Sequence, residues 1–197
     1  MLLGKQYDGV ILTASLFRSA FSVDVIREHK CRFRTDIRKA EDTLYYARFL
    51  TLIKSARLST IVPYNYRMRP QSLTTTYRRP SKLGIEKGLS ILSDFRQYAE
   101  QCEGLSKTEI EEYFQYRYIK MIINYVIGLT DQRSGLCRKD INEEIEMLYS
   151  EQGPVQYINN RALNPATFKG KIEKMVVKNR IGLITYGKLF NLIKKLR

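Results

Sequence analysis

The stretch "IRKAEDTLYYARFL", Ile37 to Leu50, decides how the rest of the chain is read. Two adjacent carboxylates, Glu41 and Asp42, stand ahead of an aromatic-rich run and inside a basic neighbourhood. Tyr46, Phe49, Leu50 and Ile53 follow at i, i+3, i+4 and i+7, the stripe of an amphipathic helix, with Thr35 or Asp36 placed to cap it. Asp42 lies four residues before Tyr46 and shares the inward stripe, whereas Glu41 points roughly 100° away. Asp42 therefore has two readings: an ordinary acid in the first turn, favoured by the helix dipole, or a positioned base. Glu41 is either part of a solvated face or part of the wall of a pocket.

On the amino-terminal side, "SVDVIREHKCRF" ends in an alternation that suits a short strand. On the other side, Leu58 to Val62 is β-branched and strand-like, and Pro63 makes it an edge strand or ends it. Beyond Pro63 the residues alternate, with Tyr64, Tyr66 and Met68 on one face and Asn65, Arg67 and Arg69 on the other. The alternating arginines read equally as a solvated edge.

After residue 82 the pattern turns helical. Ile85, Leu89, Leu92 and Phe95 or Ala99 form one stripe. Ser106-Lys107-Thr108-Glu109 is a capping box, and its helix is expected to run to Ile127, before Gly128. Ile141, Ile145 and Leu148 mark another helix, ended by Gly153-Pro154. Asn164-Pro165 opens a basic carboxyl-terminal helical segment. Within it Tyr186, Leu189, Phe190, Ile193 and Leu196 trace an apolar face, with Lys188, Lys194, Lys195 and Arg197 around it. Such a segment either docks on the protein's own core or lies in the headgroup region of an anionic membrane.

The 197 residues carry a net charge of +14, unevenly placed. Residues 27–87 hold 15 basic and 5 acidic side chains, residues 88–166 hold 8 and 12, and residues 167–197 hold 9 and 1. Two basic blocks flanking an acidic one suggest two separate anionic partners or surfaces. Three scattered cysteines, Cys31, Cys102 and Cys137, read as free thiols, and the single histidine, His29, supports neither a catalytic triad nor a histidine-built metal site. The start "MLLGKQYDGV" lacks the pattern of a signal peptide, and the longest uncharged apolar run, Met121 to Thr130, is well short of the roughly 20 residues that span a bilayer. A cytoplasmic protein, peripheral on the inner face of a membrane at most, is the expectation.

"CRFRTDIRKAEDTLYY" followed by "TIVPYNYRMRPQSLT" resembles the second half of the catalytic domain of family 2 glycosyltransferases. Their pattern is an apolar-Arg/Lys-Phe run, then (Gly/Ala)-Glu-Asp before an aromatic helix, then a Tyr-x-Tyr-Arg-x-Arg-x-x-Ser-x-Thr segment. Arg32-Phe33 fits the first part, Ala40-Glu41-Asp42 the second and Tyr64 through Thr74 the last. The resemblance covers residues 10–78 and implies an α/β, partial GT-A-like segment over residues 1–82, followed by a mainly α-helical region over residues 83–197.

It also implies roles. Asp42 matches the general base that takes the proton from an acceptor hydroxyl in an inverting transfer, and Glu41 its neighbour in the acceptor pocket. Arg67 and Arg69, with Tyr66 beside them, match the substrate-binding loop that closes over the nucleotide-sugar diphosphate. The family's Asp-x-Asp motif, which binds a divalent cation (Mg or Mn) and the diphosphate, does not occur here. The chain is therefore expected to be inactive alone and to act as the acceptor-side part of an enzyme completed by a nucleotide-binding half. Its substrates would be a nucleotide-sugar and a saccharide or lipid-linked acceptor, in surface polysaccharide or glycolipid synthesis. The alternative from charge alone is a non-catalytic basic module for nucleic acid or an anionic membrane surface. No RNA-binding aromatic motif or zinc-finger spacing supports nucleic acid, so none is expected as partner.

Overall fold

The structure, a computed structural model, describes residues 6–7, 10–11, 16, 19–37, 40–57, 77–151, 153–158 and 168–196. The chain divides into two compact units, Met1–Ser72 with Ile91–Ile110, and Leu73–Ser90 with Glu111–Arg197. Helices α3 (Lys82–Gln101) and α4 (Lys107–Leu129) contribute residues to both.

The α/β expectation for residues 1–82 is overturned: the described part of the chain is mainly helical. Its extended structure is one antiparallel ladder of two-residue strands, β1 (Gln6–Tyr7) on β2 (Val10–Ile11). The stretch that ends in the strand-like alternation begins with helix α1 (Val23–Glu28). Ser22 caps it by accepting from the Val25 N–H, and Asp24 sits in its first turn, so local hydrogen bonds satisfy a backbone for which the described residues offer no partner strand. Cys31–Arg34 follows without a ladder. The proposed strands Leu58–Val62 and Tyr64–Arg69 lie outside the described residues.

In the first unit the core forms around helix α2 (Glu41–Leu52), whose Leu44, Tyr45, Tyr46, Ala47 and Phe49 are buried. Phe21 meets three of these rings edge-on, with centroids 5.8 Å from Tyr45, 6.1 Å from Tyr46 and 4.8 Å from Phe49. Such pairs contribute about 0.5–1.5 kcal/mol each beyond the area they bury. Leu92, Phe95 and Ala99 of α3 are buried in the same unit, as the stripe read from the sequence requires.

The Ser106–Glu109 capping box is present in both directions: Glu109 N–H donates to Ser106 Oγ at 3.2 Å, and Ser106 N–H to Glu109 Oε2 at 2.9 Å. The helix it opens continues through Gly128 to Leu129. Glycine is required there by close approach rather than as a stop, since a Cβ would fall 2.4 Å from Cγ of Pro80.

The second unit's core joins Ile85, Ile119, Ile122, Val126 and Leu129 to Ile145 and Leu148 of α5 (Arg138–Tyr149), Val177 of α6 (Phe168–Val177) and Leu183 of α7 (Arg180–Lys195). Asn164-Pro165, read as a helix start, lies outside the described residues, and the basic segment is two helices, with Asn179 capping the second through Gly182 N–H. Helix α7 packs through Leu183 and Gly187, both buried. A Cβ at Gly187 would fall 2.7 Å from Thr130 Oγ1 and 3.2 Å from Val126 Cγ1, so this contact is a close one. One turn on, Asn191 donates to the Ile127 carbonyl (2.8 Å) and to Thr130 Oγ1 (3.1 Å), groups at the end of α4. The line facing the core is thus Leu183, Gly187 and Asn191.

Candidate functional site

Helix α2 begins in an unusual way. Ala40, its N-cap, has φ 64°, in the left-handed region, and makes no side-chain cap. A residue with a Cβ is disfavoured there by roughly 1–2 kcal/mol, and glycine is not. The chain then passes directly into Glu41 and Asp42, which bring negative charge to the helix start where unpaired N–H groups and the dipole favour it. The expected caps, Thr35 and Asp36, are not used. Asp36 instead receives the Arg34 guanidinium, Nε to Oδ1 at 3.0 Å, and Arg34 also reaches Asp94 of α3. The two carboxylates, Asp36 foremost, hold the Arg34 guanidinium above its ordinary value.

Asp42 and Glu41 are both half-buried. Asp42 Oδ1 accepts from the Thr43 N–H at 2.7 Å and from Thr43 Oγ1 at 3.4 Å. Among the described residues, Oδ2 of Asp42 has no hydrogen-bond donor, so one carboxylate oxygen is fixed and the other is available to a hydroxyl. Beneath it the helix is packed on aromatic rings. Tyr46, one turn on, is buried, and Tyr45 stacks on Phe33 with centroids 4.3 Å apart and planes 13° from parallel. Burial first, then the Cys31 side chain, pushes the Tyr45 phenol up, which keeps it neutral.

The stack of Phe33 on Tyr45 brings together two pieces that the sequence singled out separately, Arg32-Phe33 and the Glu41-Asp42 helix. Arg67, Arg69 and Tyr66 lie outside the described residues. Among the described residues no group of three or more His, Cys, Asp or Glu could hold a metal ion. Sequence reasoning missed Phe21, whose ring closes the underside of α2, and Arg34; their signals were an isolated aromatic and an Arg-x-Asp pair, neither of them specific. The three cysteines are unpaired, and His29 is exposed, its carbonyl accepting from Arg48 at 3.3 Å.

Among the described residues no helix is long and apolar enough to cross a membrane. No protein-family model, curated protein or solved structure matches the chain.

Proposed function

We propose that this chain supplies the acceptor side of an inverting glycosyltransferase, with Asp42 as the general base. The acceptor hydroxyl oxygen attacks the anomeric carbon of a nucleotide-sugar, and its proton passes to Oδ2 of Asp42. The bond from the anomeric carbon to the diphosphate oxygen breaks, and the nucleoside diphosphate leaves with the electron pair. Glu41 borders the acceptor. Arg67 and Arg69, with Tyr66, meet the charge that develops on the departing diphosphate, the task for which guanidinium forks are suited. Nucleotide binding, and the divalent cation used with it, belong to a second half carrying Asp-x-Asp. Products of this class are surface polysaccharides or glycolipids made on the cytoplasmic side of a membrane.

The observation that supports this reading most is the start of α2: a left-handed Ala40 delivering Asp42 half-exposed, with one oxygen fixed by Thr43 and the helix clamped below by aromatic packing. A helix-start acid needs only charge; it does not need an aromatic floor. The test is to purify the chain natively from its source cells with whatever it holds and supply radiolabelled nucleotide-sugars with a lipid and saccharide extract. Label incorporated into an acceptor, with release of nucleoside diphosphate, is the expected result. Release by hydrolysis alone, with no acceptor labelled, would reject the reading.

A further inference from the structure

Docking through Leu183, Gly187 and Asn191 leaves the opposite side of α7 uncovered within its unit. Ile181, Leu189, Leu192, Ile193 and Leu196 are each more than half exposed. At 100° per residue these five positions fall within about 120° of arc, centred opposite the packing line, and over 16 residues they form a ridge about 24 Å long. Lys188 and Lys195 border that ridge on one side, both exposed. With Lys194 and Arg133 they also rim a shallow depression of about 470 Å³, which Asn191 and Asp131 complete. The Asp131 carboxylate there is held down to about 2, chiefly by the hydrogen bond from Arg133, so it stays paired with that arginine.

We propose that α7 lies along an anionic lipid surface, the ridge in the acyl boundary and the lysines among the headgroup phosphates. Charge selects this occupant. Residues 167–197 hold 9 basic side chains and one acid, Glu173, which is 2% exposed and bound to Lys120. A second copy of the chain meeting this face across a two-fold axis would set lysines against lysines, the neighbouring Asp131 being already paired with Arg133. A bilayer rich in phosphatidylserine offers both an apolar interior and the complementary charge, each basic residue near the surface contributing about fivefold in affinity. No α7 side chain that this contact uses is a group assigned to glycosyl transfer, so the inference stands independently of that function.

The test is co-sedimentation of the full chain with vesicles of phosphatidylcholine alone and with roughly 30% phosphatidylserine at roughly 0.1 M salt. Binding to the anionic vesicles alone is expected. Leu189→Glu with Ile193→Glu should weaken it at least about tenfold, and Lys188→Gln or Lys195→Gln about fivefold each. All four positions are exposed, so circular dichroism should show the same helix content. Equal binding to neutral vesicles, or an unchanged double-glutamate variant, would overturn the proposal. So would a dimer in solution that this variant dissociates while vesicles capture nothing, because the ridge would then be a contact between copies. Capture by RNA but not by vesicles overturns it as well.

Discussion

Replacing Asp42 by Asn should lower the rate of sugar transfer by about 10²–10⁴ while leaving the fold and acceptor KM close to wild type. The amide keeps an acceptor for the Thr43 N–H, now made at 2.7 Å by Asp42 Oδ1, so the helix start retains its hydrogen bond. What is lost is the basicity of Oδ2 and one negative charge at the dipole, the latter about 0.3–1 kcal/mol. A base acts only as the hydroxyl loses its proton, so kcat falls and KM does not. An acid that merely starts a helix would show the reverse, a small loss of melting temperature and no change in rate. Measuring both quantities on the same preparation separates the two readings of Asp42.

Lys120→Met should destabilise the second unit by about 3 kcal/mol in a denaturant titration. The Lys120 ammonium contacts both oxygens of Glu173 at 2.6 Å, and Tyr186 adds a longer hydrogen bond at 3.4 Å. Glu173 is 2% exposed, so removing its partner strands a buried charge, a change that costs about 3–5 kcal/mol in a fully buried pair. The side chain of Lys120 is 26% exposed, which puts the expectation at the lower end. Lys120→Met with Glu173→Leu should recover most of the loss, because an apolar pair of similar volume does not need the ion pair. Burial lowers the Lys120 pKa, but Glu173 outweighs it and the net shift is upward. A raised pKa in the folded state means that the pair's contribution is complete below the ordinary lysine value, about 10.4, and fades as pH climbs through the folded one. The Lys120→Met difference should therefore be flat across neutral pH and shrink only in strong base.

The helices of the second half were legible because their signals are local. A capping box and a 3.6-residue stripe specify a helix whatever surrounds it, and Ser106–Glu109 and Ile85–Ala99 are where they were read. The error in the first half came from non-local structure. The alternation that ends Ser22–Phe33 becomes a strand only if a partner supplies the ladder, and the stretch begins instead with a helix that Ser22 and Asp24 favour. Local alternation and the resemblance together supplied the expectation of a sheet, and for the described residues alternation alone did not enforce it.

Helix α7 left two readings open, docking on the core or lying on a membrane. Its closest packing goes through Gly187 and Asn191, where a missing side chain and an amide let the helix approach α4. Small-residue contacts of this kind leave little trace in hydropathy. For the candidate site, Asp42 and Glu41 could be placed at a helix start in advance, but neither the left-handed turn at Ala40 nor the stack of Phe33 on Tyr45 had a sequence signal beyond the resemblance itself.

The most direct test of base-assisted transfer is the anomeric configuration of the product, read from its proton NMR coupling constants after reaction with a nucleotide-sugar of known configuration. A single displacement driven by Asp42 places the acceptor oxygen on the face opposite the departing diphosphate, so the configuration should be inverted. Retention of configuration would contradict it.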